Sequence, residues 1–503
     1  MSLTRQVVSG VKWTAAGRYG EQLLVLLATA ILARLLAPDD FGVFGMALLA
    51  STAFTVVADL GTGTALVQRE TISAPLISSV FWLNVGLGVL YCAVAYVAAP
   101  LVALFFTEPL VAPVLRVLAG TLVLGGISAV PQALLVRRLA FDRLAGAQLL
   151  AVALGVFAGV AMAVAGFGVW SLVGQQLTRG AAEAGLLLLG ARLRPSLVLR
   201  VHELRGVRQF SLSLTGAQIG SYLIRNLDNI LIGRVLGSTL LGYYDIAWRL
   251  IQYPLVAVTS VANRVLLPAL SRLQTQEERF ALAYLRSSAA VAFVSAPAMV
   301  LLFVLAEPTV RLLLGEAWVP AAPLVMVLAP VGLFQSVGAM TGNLYVARGA
   351  TGRLLAWTLL AAPVTAAALL FGVRFGVTGV AIARLVANTL LSPLNFLFAA
   401  QGTSLRLRDL AKALKPVALA STVVGVVAVA ARLGLESLGI QRPVVIVLVG
   451  SALGVLAYIG ILMASRPRVL GEVLETLGLA GVPGTDRLRH RMRQDMAPDT
   501  DRA

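Results

Sequence analysis

Cysteine, histidine and lysine are nearly missing from this chain. Among its 503 residues there is one cysteine (Cys92), two histidines (His202 and His490) and three lysines (Lys12, Lys412 and Lys415). A single cysteine excludes a disulfide framework, and two distant histidines leave neither a Cys/His metal set nor a His-dependent catalytic triad within an apolar span. Charge of any sign is scarce: 13% of residues are charged, against about 25% in an average soluble domain. No long polar stretch interrupts the chain before its last few dozen residues. A soluble fold of this length needs far more polar surface, so cytosolic enzymes, solenoids and disordered chains are all disfavoured.

What fills the chain instead is apolar. Hydrophobic residues make up 59% and the mean hydropathy is +0.89. A membrane-crossing helix needs about 20 mostly apolar residues to traverse about 30 Å of hydrocarbon. Runs between charges and Pro/Gly punctuation predict spans near 10–36, 41–67, 77–99, 113–136, 144–165, 168–190, 209–235, 240–263, 286–306, 319–346, 354–373, 377–399, 412–431 and 443–464. The fold class is an all-α integral membrane protein of about fourteen transmembrane helices. The segments 71–107, 144–178 and 317–347 contain no charged residue at all. The first, second, seventh and eighth spans are interrupted by ionisable side chains.

The chain is basic, with formal charge +17, and all but three of its 40 basic residues are arginine. Their placement alternates with the spans. Even-numbered connections and both termini collect 28 basic residues, and odd-numbered connections carry five: Arg34, Arg311, Arg374, Arg432 and Arg442. Such asymmetry puts both termini in the cytoplasm and makes the charge topological, which argues against nucleic acid as a partner. The first apolar stretch is broken by Arg18 and Glu21, so it reads as an uncleaved first helix rather than a signal peptide. The stretch after about 481 is polar and mixed in charge, as a disordered cytoplasmic tail is.

The sequence also repeats itself. ILARLLAPDDFGVFGMA (31–47) aligns without gaps on LIGRVLGSTLLGYYDIA (231–247), so that Arg34 falls on Arg234, Gly42 on Gly242 and Ala47 on Ala247. Phe167-Gly168-Val169 likewise matches Phe375-Gly376-Val377. Six helices per repeat is an even number, so both halves enter the membrane in one orientation, related by an axis along the membrane normal. The expected organisation is a six-helix lobe over 1–200, a second over 201–402, two added helices over 403–466 and a cytoplasmic tail over 467–503.

Ionisable groups at membrane depth cost roughly 2.5–3.5 kcal/mol each on insertion scales, so they face a wet cavity or a partner. Arg18 and Glu21 lie three apart on span one, Asp59 closes span two before Gly61-Thr62-Gly63-Thr64, Arg225 and Asp228 repeat the spacing on span seven, and Arg249 stands in span eight. Two readings stand side by side. These helices line a cationic cleft between the halves that takes phosphate or pyrophosphate, or the pairs simply lock helix packing. Arg116, Arg179, Glu183 and Arg384 are further candidates for a cavity wall, with Arg179 and Glu183 spaced to satisfy each other.

The motifs LLAPDDFGVFGMA (35–47), DLGTGTALVQR (59–69), PQALLVRRLAFDRLA (131–145) and RNLDNILIGRVLGSTLLGYYDIAWRLIQYP (225–254) resemble the polysaccharide exporters of the multidrug/oligosaccharidyl-lipid/polysaccharide superfamily. The similarity is to the Wzx-type branch that includes colanic acid and teichuronic acid exporters. The resemblance implies two six-helix lobes with extra helices, moving a polyprenyl-pyrophosphate-linked oligosaccharide across the bacterial cytoplasmic membrane by alternating access. It implies no enzymatic step and no cofactor or metal. Its implied partners are membrane lipids, a coupling ion (H+ or Na+), and a polysaccharide polymerase and glycosyltransferases. The substrate-binding candidates are then Arg18, Glu21, Asp59, Arg225, Asp228, Arg249 and Arg384; only Arg18 matches the early-helix arginines of related flippases, since span two offers Asp59. A multidrug or metabolite antiporter of the same architecture, and a membrane-embedded glycan polymerase, are the alternatives.

Overall fold

A computed structural model describes residues 3–58, 63, 66–67, 72–196 and 220–465. The expected lobe boundary at 200/201, the tail from 467 onward, Asp59 and most of the Gly61–Thr64 stretch lie outside these residues.

Among the described residues there are sixteen α-helices, two short 3-10 segments and no strand. In chain order the helices are α1 (Leu3–Leu35), α2 (Pro38–Ala58), α3 (Ala74–Phe106), α4 (Val111–Leu118), α5 (Gly120–Arg137), α6 (Phe141–Val164), α7 (Trp170–Ala191) and α8 (Leu227–Leu236). They continue as α9 (Ser238–Arg272), α10 (Glu277–Val304), α11 (Ala306–Leu313), α12 (Ala322–Ala347), α13 (Thr351–Gly372), α14 (Gly376–Ala399), α15 (Leu407–Ser437) and α16 (Pro443–Ser465). The last two are the expected added helices.

Local chemistry sets the ends. Ser73 caps α3 by accepting from the Leu76 amide at 3.2 Å, with Pro75 in the first turn, and Thr107 stops the helix in the left-handed conformation. Helix α2 opens on Pro38 with Asp39 and Asp40 in its first turn, where carboxylates complement the helix dipole.

Nine helical stretches among the described residues are long and apolar enough to cross a membrane. The expected count of fourteen is not reached on that criterion among the described residues; the expected seventh span, 209–235, lies in good part outside them. Helices α1 and α7 carry ionisable residues that lower their apolarity, among them Arg18, Glu21, Arg179 and Glu183. One stretch, Thr351–Ala399, holds two helices, α13 and α14.

The chain divides into two compact units. The first comprises residues 1–246 and 313–318, the second 247–312 and 319–503. In the first unit the repeated segments lie against each other. Gly42 abuts the Ser238 carbonyl and Gly242 abuts the Pro38 carbonyl, so a side chain at either glycine has no room. With Pro38 aligned on Ser238 and Gly42 on Gly242, these contacts are reciprocal, as in any twofold-related pair. Ser238 Oγ also donates to Asp39. Close by, buried Trp318 donates Nε1 to the Ala33 carbonyl at 2.6 Å and stands edge-on to Phe41 and Tyr243.

The repeat extends to the turns. After α5, Leu139 adopts φ 54° and the Ala140 amide donates to Leu135; after α12, Gly349 adopts φ 65° and the Ala350 amide donates to Tyr345. Arg138 and Arg143 then cap the carbonyls of Ala191 and Gly190 at the end of α7, at 2.8 and 3.4 Å. In the second unit Arg348 and Arg353 cap Gly402 and Gln401 just past α14, the latter bond being 2.6 Å. Guanidinium groups at helix C-termini satisfy last-turn carbonyls and complement the dipole, so arginines that encode topology also pin helix ends.

The second unit is built around Leu270, Phe280, Tyr284, Val291, Met340, Leu344 and Phe396. Polar pairs hold its helices at depth: Gln252 to Gln335 at 3.3 Å, Asn343 to Asn263 at 2.8 Å and Tyr284 with Thr341 at 3.0 Å. Helix α15 is tied to α11 by Arg432, which meets Glu436 at 2.8 Å and Glu307 at 3.4 Å.

Candidate functional site

Glycines decide where the first unit opens. A Cβ at Gly88 of α3 falls 2.7 Å from the Leu122 carbonyl of α5, and Gly126 of α5 abuts the Asn84 carbonyl of α3. The two helices therefore cross in backbone contact, as small residues permit in membrane bundles. Behind them, Gly155 of α6 accepts the Arg179 stem of α7, and Gly17 of α1 packs on Ala145 of α6.

Between these layers lies a cleft of about 840 Å3 walled by α2, α3, α5 and α7. Gln176, Arg179, Gly180 and Glu183 line it from α7, the i, i+3, i+4, i+7 face of one helix. Thr121, Ser128 and Gln132 line it from α5, Asn84 and Gly88 from α3, and Thr55 from α2. A second cavity of about 280 Å3 is lined by Arg18, Glu21, Gln148 and, again, Gln132. Glu21 Oε1 takes Arg179 Nη2 at 2.6 Å, both side chains about one-third exposed. Glu183 accepts from the Gln148 amide at 3.5 Å.

The ion pairing differs from the spacing-based expectation. Arg179 bonds Glu21 across helices, not Glu183 four residues on, and Glu21 is engaged by Arg179, not by Arg18. Three glycines, Gly17, Gly20 and Gly155, bring α1, α6 and α7 close enough for the cross-helix contact to prevail. Arg18 is exposed beside the smaller cavity.

The remaining candidates scatter. Arg225 is exposed, while Asp228 is buried and accepts from the Tyr244 hydroxyl at 2.9 Å and from the Asn229 amide at 3.0 Å, a packing role within the first unit. In the second unit Arg249 is half-buried, and buried Arg384 stacks its guanidinium over Trp248 at 5.4 Å. Asp59 is outside the described residues. Sequence reasoning passed over Asn84, Gln132 and Gln176, because it weighed charges alone; amides within otherwise apolar runs were the available signal.

Among the described residues no group of His, Cys, Asp and Glu is arranged to hold a metal. The site offers hydrogen-bonding walls and an ion pair between α1 and α7.

Residues 31–323 match the family described as Polysaccharide biosynthesis protein. This covers more than half the chain. The chain belongs to that family. The chain also matches curated relatives along most of their length. The chain is 27% identical over 354 residues to the Lipopolysaccharide biosynthesis protein WzxC of Escherichia coli (strain K12), covering 69% of this chain and 71% of that one. It is 24% identical over 486 residues to the Teichuronic acid biosynthesis protein TuaB of Bacillus subtilis (strain 168), covering 94% and 98%. The fold is that of the lipid II flippase MurJ in its inward closed conformation, with TM-score 0.71 over 90% of this chain and 98% of that one at 13% identity. The protein is thus a multi-pass membrane protein of a polysaccharide biosynthesis family with a flippase fold.

Proposed function

We propose that the protein is a flippase that carries a polyprenyl-pyrophosphate-linked oligosaccharide from the inner to the outer leaflet of a bacterial cytoplasmic membrane. It does so without covalent chemistry, by alternating access, with both termini in the cytoplasm. One observation carries this reading: a ligand-sized cleft in a bundle of apolar helices is lined by amides, hydroxyls, Arg179 and Glu183. Ligand clefts of about 300–1,000 Å3 with few, well-placed polar groups are typical of small-molecule sites. The names of the relatives, in lipopolysaccharide and teichuronic acid biosynthesis, supply the substrate class.

Arg18, exposed beside the smaller cavity, is the candidate contact for the pyrophosphate, and Arg225 a second. A H+ or Na+ gradient is the proposed drive; a polymerase and glycosyltransferases of the same polymer would act before and after it. The experiment is a deletion strain. Lipid-linked oligosaccharide is expected to build up on the inner leaflet while surface polymer disappears, and the cloned gene is expected to reverse both. Unchanged polymer with heightened sensitivity to cationic drugs would instead support an antiporter.

A further inference from the structure

We infer that the larger cleft in the first unit receives the sugar portion of the glycan, not its anionic linkage, and that it favours uncharged sugar residues. This rests on the flippase reading and assigns a task to a wall that reading leaves unassigned. The lining contains both donors and acceptors at several heights: the amides of Asn84, Gln132 and Gln176 and the hydroxyls of Thr121 and Ser128. An amide offers a donor and an acceptor side by side, which suits neighbouring hydroxyls; a phosphate has only acceptors.

The charge balance points the same way. Among the described lining residues the guanidinium is that of Arg179, which is bonded by Glu21 at 2.6 Å, whereas Glu183 accepts from the Gln148 amide at 3.5 Å. Among the described lining residues Glu183 is thus a carboxylate facing an amide and no guanidinium, and an anion placed beside it meets a like charge. Arg18, an exposed cation, lines the smaller cavity and not the larger one, and Gln132 borders both spaces. A ligand with an anionic end and a neutral polyhydroxyl end matches that polarity in one orientation.

The lone native cysteine makes the test simple. In full-length protein in lipid nanodiscs carrying Cys92→Ala, a cysteine placed by Ser128→Cys, or by Thr121→Cys if the first does not fold, is titrated with an uncharged thiol reagent. Two probes compete: inorganic pyrophosphate, and the lipid-free oligosaccharide released by mild acid from the strain's lipid-linked pool. The oligosaccharide is expected to slow labelling severalfold and pyrophosphate to leave it unchanged. Adding Glu183→Gln is expected to let an oligosaccharide bearing a uronic acid protect as well as a neutral one. Protection by pyrophosphate alone, or none by any sugar, overturns the inference. In the deletion strain, Gln176→Leu is expected to lower export at least tenfold. Full export by that variant where the unaltered gene rescues sinks the sugar site and leaves the flippase reading standing; failure of the unaltered gene sinks the reading itself.

Discussion

At the residue scale the Glu21–Arg179 bond joins α1 to α7 and forms the partition between the two cavities. Removing one partner leaves a charge at membrane depth with no counter-ion, whereas removing both leaves only a lost contact. Glu21→Gln and Arg179→Gln are each expected to lower thermal stability in detergent, and the double variant to lose less than the sum. A coupling of about 1 kcal/mol is in scale with interhelical polar contacts in membrane bundles; strictly additive losses would mean the pair does not act as one. The ionisable residues themselves were plain in the sequence. Their partners were not, because i, i+3 and i, i+4 spacing on one helix competes with contacts between helices, and only the packing at Gly17 and Gly155 decides the winner. Asp228 shows the limit of spacing in another way: the helix that carries it starts at Leu227, so Arg225, three residues earlier, lies before its first turn, and the carboxylate accepts from Tyr244.

At the scale of the element, backbone crossings set the shape. On α3, Gly88 sits against α5 with 2.7 Å for a Cβ, while Gly86, two residues earlier, has nothing within 4 Å. Gly88→Val is expected to abolish folded protein, or to lower its stability by roughly 2 kcal/mol or more through overpacking, and Gly86→Val to leave it unaffected. Size-exclusion profiles and melting curves of the two variants check this; equal behaviour would contradict the crossing. The helices, their order and the two added ones at the C-terminal end were legible from apolar runs. The aligned Gly42 and Gly242 were legible too, and each meets the backbone of the other segment. The number of crossings was less so: a criterion built on apolarity passes over α1 and α7, where the chain keeps its charges. The polar cleft was hidden for a related reason, since it is assembled from single amides contributed by separate helices.

For the whole molecule, charge asymmetry and transport are the two properties at issue. The split of 28 basic residues against five predicts that reporter domains fused to the N- and C-termini both report the cytoplasm; a terminus reporting the outer compartment would refute that topology. Transport is measured by leaflet exchange. Purified protein in liposomes loaded on one leaflet with the polyprenyl-pyrophosphate-linked oligosaccharide should bring it within reach of a glycosidase confined to the other side, and Arg18→Gln should slow this sharply. Exchange no faster than in protein-free liposomes, with the protein folded and an ion gradient of either H+ or Na+ imposed, would contradict the account.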